Sequence, residues 1–333
     1  MRALILHGPG LDGLRMVERA DPRPGRGQVT LRLRAAAVNH RDLWSCRGRT
    51  GSAPSPILGS DGAGVVEAVG PNVADWRPGD EVIINPSLNW PDATAAPGPD
   101  FEVLGLPTDG TFAERVVLPA GNLARKPDHL DWPAAAALPL SALTGYRALF
   151  TVGGLKAGET CVIVGIGGGT AVQTLLLAKA AGARVVATSR HADKRRKAQE
   201  VGADLAVDSG SDWAAAVRTF TGGQGADMVV ENVGRPTWAQ SLKALARGGR
   251  LVIYGSTGGD VVEIDLVPLF LGWQSIRGTT MGNAEDFRSM LALVTSARLT
   301  PVVDRVFPFA QAIEAMRYLD RSEQFGKVVL SFA

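Results

Sequence analysis

A short apolar run, Cys161-Val162-Ile163-Val164, passes directly into Gly165-Ile166-Gly167-Gly168-Gly169-Thr170, and a helical pattern begins on the far side. That pattern places Val172, Leu175, Leu176 and Ala180 at i, i+3, i+4 and i+8 and ends near Gly182. Strand, glycine turn and helix in immediate succession exclude an all-helical or all-β chain at this point. Further strand signals at 184–188, 205–207, 228–230 and 250–254 alternate with helices that begin near Asp193, Trp213 and Trp238. Repeated β-α units with apolar strands predict an α/β fold: a doubly wound parallel sheet covered by helices on both faces.

In such a sheet the glycine turn has a chemical use. A pyrophosphate must approach backbone N–H groups at a helix N-terminus, and side chains there would obstruct it. Gly165, Gly167, Gly168, Gly169 and Thr170 are therefore nominated for dinucleotide binding, Thr170 standing where a third glycine is usual. The second strand ends Thr188-Ser189-Arg190, followed by Lys194, with no acid before Asp193. A carboxylate would repel a ribose 2′-phosphate, whereas Arg190 grips one through a charge-assisted fork, so Ser189, Arg190 and Lys194 favour NADP, with NAD as the alternative. Arg195, Arg196 and Lys197 read as a solvated helix face.

The first 125 residues instead carry short β-type runs, at 28–33 and 64–70, between Gly, Pro and Asp. Residues 86–110 lack any period and read as a surface loop or lobe with a mobile tip. The tail gives a helix at 287–295, a strand at 302–307, another helix and a final strand at 327–331. These signals predict a β-rich domain at 1–125 completed by 286–333, and an α/β domain at 126–285, with a ligand cleft between them. No apolar run reaches the ~18–20 residues that cross a bilayer. With 35 basic against 33 acidic side chains, nothing global calls for nucleic acid or anionic lipid. The amino terminus lacks a secretory pattern, and the two cysteines form no cluster, so a cytoplasmic location is expected.

Several segments together carry a family likeness across the chain. Ala37-Val38-Asn39-His40-Arg41-Asp42, the stretch from Gly59 to Gly70, Gly110-Thr111-Phe112-Ala113-Glu114, Leu143-Thr144-Gly145-Tyr146, the glycine turn and Phe325-Gly326-Lys327-Val328-Val329 resemble the medium-chain dehydrogenase/reductase family. The likeness is to its quinone oxidoreductase and alcohol dehydrogenase branches. It implies a GroES-like catalytic domain, a Rossmann domain, hydride transfer, and homodimers or homotetramers joined through Rossmann sheet edges. Zinc-using members hold a catalytic metal at positions that fall here on Asn39, Ser60 and about Leu140, none a thiolate or imidazole, and the 86–110 lobe has no cysteine for a structural zinc. No zinc is expected, and Cys46 reads as a core residue.

The resemblance further implies that the Asn39 amide donates to the substrate oxygen. Asp42 would order the loop and the cofactor ribose, or simply cap the loop; His40 would approach the pyrophosphate, or sit on the surface. Arg41 takes the place of a hydroxyl proton relay, and Asp61 reads as a buried, paired carboxylate. Asn232, Tyr254, Gly255, Ser256 and Thr280 fall in segments that frame the nicotinamide, while Asp208 stands where several NADPH-using members place a Tyr near the adenosine phosphate and disagrees with the NADP reading, because an acid pointing inward there would weaken phosphate binding. The expectation is a zinc-independent NADPH-dependent reductase of a quinone, an α,β-unsaturated carbonyl or a small aldehyde or ketone. An alcohol dehydrogenase with a non-thiolate site and a cofactor-binding protein without turnover stay open, and the substrate pocket is expected near Trp44, the lobe and Trp273.

Overall fold

The structure is a computed structural model that describes the whole chain except residues 49–54, 91–93 and 333. It divides into two compact units: Met1–Leu140 with Asn283–Leu291 and Thr300–Ala333, and Ser141–Gly282 with Ala292–Leu299.

In the first unit, β1 (Arg2–Leu6) pairs antiparallel with β2 (Leu14–Glu18). The alternation that begins at Gln28 continues as one long strand, β3 (Gln28–Val38). Val29, Leu31 and Leu33 are buried on one face, and from Ala35 to Ala37 the strand is buried on both, which methyl side chains permit. Next come α1 (His40–Arg47), β4 (Asp61–Val69) antiparallel to β3, and β5 (Glu81–Ile84). The segment read as a surface loop or lobe holds a small ribbon, β6 (Ser87–Leu88) against β7 (Glu102–Val103). Buried Leu88, Trp90 and Leu104 anchor it, Trp90 meeting Phe101 edge-on at 5.1 Å. The expected mobile tip falls partly on residues 91–93, outside the described residues.

Then follow β8 (Arg115–Pro119), β9 (Leu123–Arg125) and α2 (Trp132–Ala137), whose N-cap Asp131 accepts from Ala134 N at 2.8 Å. Its buried alanines, Ala134 to Ala137, let it lie close on β3 and β4. Residues 126–140, assigned from sequence to the α/β domain, therefore lie with the first unit.

The second unit begins within α3 (Pro139–Tyr146). Its elements are β10 (Thr160–Ile163), α4 (Gly169–Ala180), β11 (Arg184–Thr188), α5 (Ala192–Glu200), β12 (Leu205–Val207) and α6 (Trp213–Phe220). They continue as β13 (Ala226–Glu231), α7 (Trp238–Ala244), β14 (Leu245–Ile253), α8 (Leu266–Leu271) and β15 (Ser275–Gly278). The sheet is wholly parallel, ordered β12-β11-β10-β13-β14-β15, so the strand order reverses beside β10, where the glycine turn emerges. Helix α4 is buried almost all round, including Thr174, Leu177 and Ala178, so the expected stripe marks only part of its packed surface. At the β15 end, Leu266, Val267, Phe270, Leu271 and Trp273 are exposed.

Helix α9 (Ala284–Ser296), β16 (Val303–Pro308), α10 (Ala312–Asp320) and β17 (Lys327–Ser331) end the chain. Strand β17 enters the first unit's sheet between β16 and β3, antiparallel to β3 in the register Val328↔Val38. Phe307, Phe309, Met316 and Leu319 join Leu4, Leu14 and Val38 in that unit's core. The protein thus combines a GroES-like β-rich unit with a doubly wound α/β unit.

Candidate active site and cofactor site

The residues nominated from sequence fall into two groups, one in each unit. In the first, α1 begins with a reciprocal cap: Asn39 N donates to Asp42 Oδ2 at 2.8 Å and Asp42 N donates to Asn39 O at 3.0 Å. Asp42 therefore caps the helix. Its carboxyl is buried, which pushes its pKa up to about 6 against the opposing pull of Arg41.

The Asn39 side chain is held at both ends. Its Nδ2 donates to Asp61 Oδ2 at 2.9 Å, while its Oδ1 accepts from Lys327 Nζ at 2.6 Å. Lys327 Nζ also donates to Asp61 Oδ2 at 3.0 Å and to Val38 O at 3.1 Å, so each ammonium proton has an acceptor. The second Asp61 oxygen accepts from Leu140 N at 2.7 Å. Relative exposures of 0% for Asp61, 3% for Lys327 and 7% for Asn39 make this a buried network, which is tolerable because every charge is paired and hydrogen-bonded. Asp61 is thus the paired carboxylate expected of it.

Sequence reasoning did not nominate Lys327. The signal was a lysine at the head of the apolar run Val328-Val329-Leu330, but its destination depends on register: Val328 lies opposite Val38, which puts the preceding lysine beside Asn39.

Around this network, Ser60 Oγ donates to Leu104 O at 2.7 Å and accepts from Arg41 Nη1 at 2.6 Å. Burial lowers the Arg41 pKa, although Asp42 and Asp61 pull it the other way. Cys46 lies in the core, its thiol pushed up to about 12 by burial, so it is neutral and unreactive. His40 opens α1 and is half-buried. Among the described residues, no three His, Cys, Asp or Glu side chains are grouped to hold a metal ion.

In the second unit, the glycine turn explains its own composition. Gly165 and Gly167 have φ of 73° and 140°, a region that disfavours side chains. A Cβ at Gly165 would stand 2.5 Å from Val233 Cγ2, and one at Gly167 would stand 2.7 Å from Lys194 Cδ. Gly165 N and Ile166 N donate to Thr188 Oγ1 and O, at 3.1 and 2.8 Å, tying the turn to the end of β11. At Gly168, the N-cap of α4, a Cβ would meet nothing within 4 Å, and no side chain caps the helix. Open space before uncapped helical N–H groups fits a diphosphate.

Beyond the turn, Ser189 is buried and its Oγ accepts from His191 N at 3.2 Å, while Arg190 is exposed with Nε 3.1 Å from His191 Nε2. Lys194 is buried, its chain lying over Gly167. Arg195 departs from the expected solvated face: its Nη1 donates to Ser189 O at 2.8 Å and pairs with Asp208 Oδ2 at 3.0 Å. The disagreeing acid is thus matched by a cation on α5.

On the opposite side of β10, Asn232 Nδ2 donates to Val164 O at 2.6 Å and to the Tyr254 hydroxyl at 3.2 Å. Glu231, which sequence reasoning passed over, is buried and orders this loop by accepting from Val233 N, Gly234 N, Thr237 Oγ1 and Ser241 Oγ. Gly255 and Ser256 are half-buried after β14, and Thr280 is exposed after β15.

Comparison with known proteins gives two family-model matches, an alcohol dehydrogenase GroES-like domain over residues 25–128 and a zinc-binding dehydrogenase domain over 165–296. A zinc-type alcohol dehydrogenase-like protein of Schizosaccharomyces pombe is 34% identical, the match covering 96% of each chain. Among solved structures, an NAD-dependent alcohol dehydrogenase is 38% identical, with a TM-score of 0.93 and full coverage of both chains. The 2-octenoyl-CoA carboxylase reductase CinF, solved with NADP and 2-octenoyl-CoA, is 27% identical with a TM-score of 0.88, over 99% of this chain and 87% of that one.

Proposed function

The chain belongs to the medium-chain dehydrogenase/reductase family and is an NAD(P)H-dependent oxidoreductase, and on that premise we propose that it is a metal-independent reductase preferring NADPH. Its substrates in this reading are quinones, α,β-unsaturated carbonyls or small aldehydes and ketones. The observation that carries the proposal is the closed network of Asn39, Asp61 and Lys327. Where zinc-using relatives place ligands, this chain offers a carboxamide whose oxygen already accepts an ammonium and a hydroxyl that already accepts a guanidinium. Two cations bound to the would-be ligands, neither of which is a thiolate or an imidazole, make a donor set that does not fit zinc.

A nicotinamide, when bound, would supply the hydride. The chain must then polarise the accepting oxygen with its own donors. Asn39 Nδ2 gives one proton to Asp61 and has only a long contact of 3.4 Å, to Ala37 O, for the other. That second N–H is the donor assigned to the substrate oxygen. Lys327 bound at Oδ1 draws charge from the amide and strengthens Nδ2 as a donor.

NADPH preference is supported by exposed Arg190 beside Ser189, and by CinF, whose structure contains NADP. The enone class is supported by CinF's 2-octenoyl-CoA. The relatives named alcohol dehydrogenases favour a second reading, reversible alcohol oxidation at the same site.

A homodimer or homotetramer is part of the proposal. The β15 edge ends the parallel sheet, and the apolar side chains exposed beside it suit a second copy of the chain. A cytoplasmic location also belongs to it, both cysteines being free thiols.

The test is NADPH oxidation against quinones, enones, enoyl thioesters and aldehydes, before and after exhaustive chelation. Turnover of a quinone or enone that survives chelation supports the proposal. Turnover that disappears on chelation and returns with zinc, or no NADPH-dependent reduction of any of these substrates, overturns it.

A further inference from the structure

Strands β11 and β12 end in register, Thr188 opposite Val207, so that Ser189 and Asp208 leave the sheet side by side. Ser189 N donates to Val207 O at 3.1 Å and Ser209 N to Ser189 O at 3.3 Å. Arg195, one turn into α5, spans the two exits, bound to the Ser189 carbonyl and the Asp208 carboxylate. The other Asp208 oxygen accepts from Gly210 N at 2.8 Å, which fixes the carboxylate where the guanidinium meets it.

The neighbouring Arg196 behaves differently. Its side chain is 64% exposed and pairs with Glu200 one helical turn away, whereas the Arg195 side chain is 22% exposed and leaves its own helix to reach Ser189 O and Asp208. An ordinary solvated helix face would treat the two alike.

We infer that Arg195 is a specificity-determining residue that selects for the 2′-phosphorylated cofactor by cancelling Asp208. The inference rests on the reading of Arg190 as the phosphate-binding cation. A bare carboxylate at the end of β12 would repel a phosphate at Ser189-Arg190 while tolerating a ribose hydroxyl. Paired with Arg195, it contributes no net charge, and the positive charge of Arg190 is left for the cofactor. Arg195 itself is held by Ser189 O and Asp208, so its contribution is indirect and lies in what it screens.

The test measures direct binding of NADPH and NADH to the full chain by titration calorimetry at fixed ionic strength, for Arg195→Ala, Asp208→Asn and the double variant. Arg195→Ala is expected to weaken NADPH ~10-fold or more while leaving NADH within ~2-fold. Asp208→Asn should bind NADPH at least as tightly as the unaltered protein. The double variant should recover NADPH affinity to within ~3-fold, because no bare acid then remains.

A double variant as weak as Arg195→Ala would mean that Arg195 touches the phosphate itself, and equal losses for both cofactors would make its role structural; either result overturns the inference. Arg190→Ala separates the two levels. If it weakens NADPH selectively while Arg195→Ala does not, this inference alone falls. If it weakens NADPH and NADH equally, the phosphate reading falls and the inference with it.

Discussion

Lys327 Nζ lies 2.6 Å from Asn39 Oδ1, joining residues 288 positions apart at the head of the last strand and the start of the first helix. The contact makes one charge network of the three chain segments at Val38-Asn39, Asp61 and Lys327. It also fixes the Asn39 amide with its nitrogen toward Asp61, and so decides which atom is left to donate.

Removing the ammonium should be costly, because it strands a fully buried carboxylate. Lys327→Met is expected to destabilise the protein by ~3–5 kcal/mol, read by urea denaturation. Lys327→Met combined with Asp61→Asn should recover part of that loss. A single variant within ~1 kcal/mol of the unaltered protein would mean that the pair contributes little.

Asn39→Ala should lower kcat by ~100-fold, the scale of losing one preorganised donor, with little change in the dissociation constant for NADPH. Steady-state kinetics beside direct cofactor titration distinguish the two effects. An unchanged kcat would remove Asn39 from the mechanism.

Gly167→Ala combines a φ of 140° with a clash against the Lys194 chain. It should weaken NADPH and NADH alike by ~10-fold or more, since the strain falls where the proposed site holds the diphosphate, common to both. Fluorescence titration with each cofactor reads this, and a loss for one cofactor only would contradict the placement.

Asp42 carries a pH signature. Its folded pKa of about 6 stands above the ordinary value of 3.8, so the native state holds the proton more tightly than the unfolded chain. The stability it contributes is full below the ordinary value and is lost as pH rises through the interval to about 6. Asp42→Asn cannot ionise, so its melting temperature should gain on that of the unaltered protein between pH 4 and pH 7. A constant difference across that range would contradict the burial argument.

Phe270→Asp places a charge on the exposed apolar surface beside β15. If that surface joins two copies, light scattering after size exclusion should show half the mass for the variant that it shows for the unaltered protein, the 34.9 kDa chain where that protein is a dimer and twice it where it is a tetramer. Equal masses for the two would send the interface elsewhere.

Much of the second unit was legible from sequence, because its signals are local. The apolar strands, the glycine turn and the alternation with helices each occupy a few consecutive residues, and a parallel sheet buried on both faces writes itself as apolar runs. The 86–110 ribbon was not legible: its two strands are two residues each, and Trp90 and Phe101 hold them across a gap that no periodicity spans. The boundary near residue 140 was hidden for a related reason. An alanine-rich helix shows its propensity, but not the sheet on which it packs.

The sequence by itself determined the doubly wound sheet, the glycine turn and the lack of thiolate or imidazole at Asn39, Ser60 and Leu140, all questions of residue type and short spacing. Only the tertiary structure decided the electrostatics. Strand register carried Lys327 to Asn39 and Asp61, and the paired ends of β11 and β12 let Arg195 meet Asp208. The physical reason is range: conformational preference acts between neighbours along the chain, whereas a buried charge is satisfied by whichever partner the fold brings within ~3 Å.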